Sequence, residues 1–261
     1  PVSMVDYLAV QELNPDMVEA IAEGLSTGAR SANISISGGE IAQLRDIVKG
    51  YREGYGFDLA GTAIGTVPLD KIIVGQALQE GDVVVGIESN GIHSNGLTLA
   101  RHVFFERNHY PIDASFPTLE RALGEELLRP THIYVREVVD ILKQGIPVKA
   151  LIHITSDGLL NLSRVAADVG YIIEELPPIP PIFDLIQQHG DIRKAEMFQV
   201  YNMGIGFCII VSADAVERVL AMVRSHGKRA YAIGHAVWDK ERRVSLKPYG
   251  LIGKGNRFFE A

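Results

Sequence analysis

Apolar residues near the start of the chain recur first at strand spacing and then at helix spacing. The segments "VSMVDYLAV" and "NISIS" alternate as half-buried strands do, and residues 58–67 continue as another strand. Between the first two strands, apolar residues recur along one helical face, with Asn14 as the N-cap and Gly28 near the helix end. This pattern predicts a βαββ unit.

Strands and helices alternate through the rest of the chain, which predicts an α/β class with a layered sheet. A polar connection around residue 78 divides the chain into domains 1–78 and 79–261. The second domain is predicted to contain, in order, strand "VVVGIE", a helix through Phe105, a helix from Pro130 to Gly145, strand "KALIHIT", helix "DGLLNLSRVAADVG", strand "YIIEEL", a helix burying Ile182, Phe183, Leu185 and Ile186, strand "GIGFCIIV", a helix capped by Ser212 or Asp214, strand "RAYAIGHAV" and edge strand "RRVSLK".

The charge and composition of the chain limit the kinds of partner that it is expected to bind. A formal net charge of −7 and a pI near 5.6 disfavour a nucleic-acid partner and favour small ligands. No apolar run reaches the ~18 residues of a spanning helix, so no membrane partner is expected. The lone Cys208, within "GFCIIV", is expected to be a buried inert thiol rather than a nucleophile, in a reducing cytoplasmic location. The strand-like start at Pro1 is typical of an interior piece of a longer protein.

The stretch "SNGIHSNGLTLAR" lies where a predicted strand gives way to a helix. If Ser94 or Asn95 is the N-cap, the first helical N–H groups face the loop containing Gly91 and His93. A helix N-terminus attracts anions, which favours phosphate. The alternative is that Ser94 and Asn95 only cap the helix and His93 lies on the surface.

A second polar turn has the same layout in "HITSDGLLNLSR". His153 and Thr155 end a strand, and Asp157 and Gly158 begin a helix. Two such turns in one domain indicate a shared phosphate cleft at the carboxyl ends of the strands. In contrast, the glycines of "NMGIGF" lack the third glycine and the helix of a dinucleotide site, so they predict only a tightly packed strand start.

Two carboxylates in the first domain are candidates for chemistry. The strand "NISIS" is predicted to stop at Gly38 and Gly39, which leaves Glu40 on a turn, either as a plain turn carboxylate or as a ligand for Mg²⁺. Asp6 lies within the apolar "SMVDYLAV" and must be hydrogen-bonded or functional. The histidines lack zinc-ligand spacing, and no G-x-S-x-G elbow occurs.

Seven stretches occur in the order seen in one enzyme family: "SMVDYLAV", "IAEGLSTGARSANISISGGEIAQL", "FDLAGTAIGTV", "GDVVVGIESNGIHSNGLTLAR", "LLRPTHIYV", "KALIHIT" and "NMGIGF". Together they resemble the aminoimidazole ribonucleotide synthetase (phosphoribosylformylglycinamidine cyclo-ligase) family of purine biosynthesis. The resemblance implies a two-domain fold, a homodimer whose N-terminal sheets pair into a barrel, and ATP with Mg²⁺. The expected reaction phosphorylates the formyl oxygen of a ribonucleotide substrate, after which a neighbouring nitrogen closes the imidazole ring.

The resemblance also implies roles for particular residues. Glu40 would hold Mg²⁺ and His93 would act in catalysis. The nucleotide would contact the group Ser94, Asn95, Gly96, Gly38, Gly39 and Asp6. The ribonucleotide substrate would lie beside the group Gly91, Thr155, Ser156, Asp157 and Gly158.

The sequence departs from the family at several points. The family's upstream glycine-rich nucleotide loop precedes the residue corresponding to Pro1. Gln43 replaces a carboxylate of the family's "GGETAEM". Ser156 and Asp157 replace two glycines of "HITGGG", which adds side chains and a negative charge to this turn, a change that is tolerated if Asp157 caps the helix. The alternatives are a small-molecule kinase of the same superfamily, such as thiamine-monophosphate kinase, and a non-catalytic nucleotide-binding fragment.

Overall fold

The computed structural model describes residues 1–261, which fold as two compact units. The first contains residues 1–72 and 133–139, and the second contains residues 73–132 and 140–261. The domain boundary near residue 78 stays a prediction. No helix is long and apolar enough to cross a membrane.

The first unit has the predicted βαββ order. Its elements are β1 (Ser3–Val10), α1 (Pro15–Ala32), β2 (Ser35–Gln43) and β3 (Phe57–Ile64). Strand β1 lies between the other two, parallel to β2 and antiparallel to β3. The side chain of Asn14 accepts a hydrogen bond of 3.2 Å from the N–H of Met17, which confirms the predicted N-cap.

Of two predicted ends in this unit, one is confirmed and one is wrong. Helix α1 ends at Ala32, shortly after Gly28, and Asn33 caps it with a left-handed backbone (φ 54°). Strand β2 continues through Gly38 and Glu40, so Glu40 lies on a strand and not on a turn. The parallel ladder to β1 fixes this extended backbone and outweighs the weak strand preference of glycine.

Residues of β1 alternate between the two faces of the small sheet. Asp6 and Leu8 face helix α1, together with Ile21 and Leu25 of that helix. The opposite face leaves Val5 and Tyr7 about two-fifths exposed, at 38% and 41%.

The second unit is built on an eight-stranded sheet. Its strand order is β11-β10-β9-β6-β8-β4-β7-β5, and neighbouring strands are antiparallel except β6 and β9. The strands are β4 (Val83–Glu88), β5 (Val148–His153), β6 (Val169–Ile173), β7 (Ile205–Val211), β8 (Ala230–Trp238), β9 (Val244–Leu246), β10 (Leu251–Lys254) and β11 (Arg257–Glu260). Because β4 and β5 are both antiparallel to β7, their carboxyl ends lie at one sheet edge, beside the start of β7.

The remaining helices lie mostly in the second unit. They are α2 (Leu97–Arg101), continued by a π-helix (His102–Arg107), α3 (Leu123–Leu127), α4 (Val135–Lys143), whose residues 135–139 belong to the first unit, α5 (Pro181–Gly190), α6 (Lys194–Val200) and α7 (Val216–Ser225). Short 3-10 helices span Leu69–Lys71 in the first unit and Gly158–Arg164, Ala213–Ala215 and Lys247–Tyr249 in the second. The predicted apolar face of α5 is buried, and so is Cys208, whose thiol pKa is raised by burial. The predicted buried thiol is confirmed.

Three predictions for this unit are wrong. The segment after the second polar turn is a 3-10 helix and not an α-helix. Ser212 precedes a 3-10 turn, and α7 itself begins at Val216 without a side-chain cap. Strand β9 is not at the edge, because the hairpin of β10 and β11 adds two strands beyond it.

Candidate functional site

The two polar turns meet at the edge of the large sheet. One follows β4 (residues 89–96) and the other follows β5 (residues 154–158). The hydroxyl of Ser156 donates a hydrogen bond of 2.9 Å to the side-chain oxygen of Asn95. The predicted proximity of the turns is confirmed, and phosphate binding between them stays a prediction.

His93 is buried within the first turn. It is 6% exposed, adopts a left-handed backbone (φ 59°), and places Nε2 2.9 Å from Oδ1 of Asn90. Its ring centroid lies 6.2 Å from that of His132. Burial lowers the pKa of His93 to about 4, assisted by the nearby positive groups His132, His153 and Arg129. The alternative of a surface histidine is therefore wrong, and the ring is neutral at pH 7.

The predicted N-cap of the following helix is wrong. Gly96 occupies that position with a left-handed backbone (φ 82°) and no side-chain cap bond. A side chain there would place Cβ 2.2 Å from the Tyr201 ring, and the Tyr201 hydroxyl donates to the Gly96 carbonyl at 3.0 Å. Because α2 has only five residues, its dipole is a weak source of anion binding. Ser94 instead lies with its hydroxyl 3.0 Å from that of Thr131.

The segment around "RPTH" supports the first turn, a role that the sequence analysis did not assign. The Asn90 amide donates to the Pro130 carbonyl at 2.8 Å. A Cβ on Gly91 would lie 3.7 Å from the buried carboxylate of Glu126, to which Arg129 donates at 3.3 Å. The clustered Arg and His of this stretch were a sequence signal for the contact, but its pairing with the "HSNG" turn required the fold.

The second turn is fixed by left-handed residues. Asp157 occupies the N-cap position with φ 73°, makes no side-chain cap bond, and accepts a hydrogen bond of 2.8 Å from Arg164. Asp157 therefore begins the helix as predicted, but its side chain does not cap it, because the carboxylate is bound by Arg164 instead. Gly158 has φ 55°, and a Cβ there would meet the Phe198 carbonyl oxygen at 2.2 Å. Burial lowers the pKa of His153, whose ring stacks on Phe207.

The candidates in the first unit do not share one face of the small sheet. Asp6 pairs with Gly39 on the helix side, where a Cβ on Gly39 would lie 2.5 Å from the Asp6 carboxylate. Glu40 pairs with Tyr7 and projects from the opposite face, as does the position of Gly38. Gly39 is therefore explained by the space that Asp6 needs.

The carboxylates Asp6 and Glu40 are the candidates for metal binding in the first unit. No group of three or more His, Cys, Asp or Glu side chains in residues 1–261 is arranged to hold a metal ion. The exposed Glu40 fits Mg²⁺ as one ligand beside the oxygens of a polyphosphate, which is the usual environment of this ion.

The fold defines a two-unit α/β protein in which two polar turns meet at the carboxyl ends of strands β4 and β5 of the larger sheet. Its sequence matches the family "AIR synthase related protein" through the N-terminal domain over residues 1–67 and the C-terminal domain over residues 79–247. The chain belongs to the AIR synthase related protein family, and the resemblance inferred from the motifs is confirmed.

Two curated relatives of this chain have the same protein name. A phosphoribosylformylglycinamidine cyclo-ligase of Methanobrevibacter smithii is 46% identical over 226 residues, which cover 87% of this chain and 65% of that protein. The protein of that name from Methanothermobacter thermautotrophicus is 43% identical over 248 residues, covering 95% and 70%. The chain thus spans 65% of the length of the first of these relatives.

Solved structures share the fold at lower identity. The hydrogenase maturation protein HypE of E. coli is 21% identical with a TM-score of 0.64, covering 98% of this chain and 73% of that chain. T. maritima PurL complexed with ATP is 17% identical with a TM-score of 0.57, covering 95% and 35%. The predicted two-domain α/β fold is confirmed, and the dimer barrel stays a prediction.

Proposed function

We propose that the protein closes the imidazole ring of aminoimidazole ribonucleotide, using ATP and formylglycinamidine ribonucleotide, in purine biosynthesis. The observation that carries this proposal is the 46% identity, over 87% of the chain, to a protein named phosphoribosylformylglycinamidine cyclo-ligase. The hydrogen bond that joins the two polar turns supports a shared binding place for the phosphorylated substrate. We place the domain boundary near residue 78, between the two matched family ranges.

In this proposal the cleft binds and orients the ribonucleotide. Backbone and hydroxyl groups of Gly91 and of the turn Thr155–Gly158 contact the substrate, and Ser94, Asn95 and Gly96 contact transferring phosphate. His93 is the catalytic residue. Its lowered pKa keeps the ring neutral, so it acts as a hydrogen-bond donor toward developing negative charge rather than as an imidazolium acid. The amide oxygen of the substrate takes the phosphoryl group, and the neighbouring nitrogen then displaces phosphate.

The first unit is proposed to hold the nucleotide. Gly38 exposes its backbone, since a Cβ there would meet nothing within 4 Å, and Glu40 projects from the same face. Gly39 and Asp6 contribute from the other face. Mg²⁺ bound by Glu40 and phosphate oxygens would neutralise charge on the triphosphate.

The protein is proposed to act as a cytoplasmic homodimer whose small sheets form a barrel. The face opposite α1 supports this, because it leaves Val5, Tyr7 and Ile64 exposed at 38%, 41% and 58%. Apolar side chains clustered on one exposed sheet face are typical of an interface. Sedimentation of the protein should give a dimer, and Tyr7→Glu should shift it to monomer; a wild-type monomer would contradict the barrel.

The function is tested by ADP release from the purified protein, offered formylglycinamidine ribonucleotide or thiamine monophosphate. Stimulation by only the first compound supports the cyclo-ligase. Stimulation by only the second identifies a small-molecule kinase, and none with either indicates a non-catalytic protein.

The His93→Ala variant should lower turnover by at least about 10²-fold, the usual scale for a lost hydrogen-bond donor to developing charge. The proportional fall in its melting temperature should be much smaller than the proportional fall in its turnover. Equal losses of turnover and of stability would show that His93 is only structural.

A further inference from the structure

A buried asparagine holds the first polar turn. Asn202 is 4% exposed and lies just before β7. Its side-chain oxygen accepts from the Ser89 hydroxyl at 2.7 Å and from the Gly204 N–H at 2.9 Å, and its amide donates to the Gly91 carbonyl at 2.9 Å. One side chain therefore ties both ends of the loop before His93 to the start of β7.

A second buried asparagine holds the other turn in the same way. Asn161 is 1% exposed. Its side-chain oxygen accepts from the Thr155 N–H at 2.8 Å and from the Thr155 hydroxyl at 3.2 Å, and its amide donates to the Ser156 carbonyl at 2.7 Å. Ser156 is also the residue that bonds Asn95 of the first turn.

We propose that Asn202 and Asn161 are positioning residues, which set the spacing between the two turns and the placement of the groups that bind the phosphorylated substrate. The inference rests on the proposed function. Both asparagines are buried, at 4% and 1% exposure, and the stretch "NMGIGF" predicted only a tightly packed strand start.

The chemistry of the amide explains why asparagine is used at both positions. Each site needs an acceptor for two donors and a donor for a backbone carbonyl, and asparagine supplies both in one short side chain. Aspartate keeps the acceptor but loses the donor. Alanine leaves buried polar groups without their hydrogen-bond partners, which favours other conformations in which these groups bond to water or to other protein groups. Loss of either amide should therefore displace its turn.

The test compares Asn202→Ala and Asn161→Ala with the control Asn108→Ala. Asn108 also donates to two backbone carbonyls, those of Val103 and His189, but to neither turn. Thermal unfolding measures the structural loss in all three variants. We expect ADP release with formylglycinamidine ribonucleotide to fall about 10²-fold in the first two, as displaced reacting groups typically cause, and to change little in the control.

A second readout does not depend on activity. Proton NMR of the His93 ring between pH 8 and pH 5 should show no protonation in the wild type, whose pKa is about 4. In Asn202→Ala, which introduces no charge, the freed turn should become hydrated and His93 should begin to protonate in this range. The control should titrate as the wild type does.

The proposal is overturned if both turn variants keep the turnover and the His93 titration of the wild type while their melting temperature falls as it does in the control. If Asn202→Ala does not fold, Asn202→Asp keeps the bonds from Ser89 and Gly204 and is used for the turnover measurement. If the wild type releases no ADP with the substrate, the proposed function fails, while the His93 titration still decides whether Asn202 positions the turn.

Discussion

The buried His93 should make folding stability depend on pH in a defined window. Its pKa is lowered from 6.5 to about 4 in the folded chain. Unfolded chains take up the proton near pH 6.5, whereas the folded chain resists until about pH 4. Stability is therefore full above pH 6.5 and falls as the pH drops toward 4.

The size of the effect follows from the shift. A difference of ~2.5 pH units at about 1.4 kcal/mol per unit gives ~3 kcal/mol over the whole window, and ~2 kcal/mol of it is lost between pH 8 and pH 5. The His93→Gln variant has no titrating ring, so this part of the pH dependence should vanish. The pKa values of His132 and His153 are also lowered by burial, and their contributions remain in both proteins.

The measurement is urea unfolding by circular dichroism at several pH values, with the exposed His109→Gln as control. The quantity compared is the change in unfolding free energy between pH 8 and pH 5, which removes any constant cost of the substitution. His93→Gln should lose about 2 kcal/mol less than the wild type over this range, and His109→Gln should follow the wild type. Parallel curves for all three proteins would refute a buried neutral His93.

Two further predictions concern stability. Gly158→Ala should destabilise by about 1–3 kcal/mol more than Gly227→Ala, because both positions have positive φ but only Gly158 has a carbonyl oxygen within 2.2 Å of the new Cβ; equal losses in urea unfolding would contradict this. Lys149→Met should lower the free energy of unfolding by about 3 kcal/mol, because it leaves the buried Asp82 carboxylate without the Lys149 ammonium, which lies 2.6 Å away in the wild type. Lys254→Met, which breaks an exposed pair of the same length, should change the urea midpoint much less, and the reverse order would contradict the role of burial.

Local patterns were sufficient to predict the elements that carry the site. The runs before Ser89 and Ile154 are mostly apolar and are followed by polar turns, so both strand ends were predictable. Their meeting at one edge also followed, since alternating strands and helices place such ends together. These inferences needed no knowledge of distant partners.

Other features depended on partners far away in sequence. Strand β2 runs through Gly38 because β1 supplies its ladder, and Asp157 turns from the helix end because Arg164 binds it. Asn202 bonds Gly91 across 111 positions of the chain. A rule based on neighbouring residues cannot weigh such contacts, which is why the glycine stop, the helix cap and the buried asparagine were not predicted correctly.

The placement of the turns depends on strand β7, which lies next to the edge strand β5 of the large sheet. Strand β7 lies between β4 and β5 and is hydrogen-bonded to both, and its Cys208, Ile209 and Ile210 are fully buried. Close packing leaves such a strand little freedom to slide, and a slip of one residue would reverse all its side chains. Since Asn202 lies just before this strand, the register of β7 fixes the point to which the first turn is bound. The placement of the two exposed turns is thus set by a strand that is largely buried.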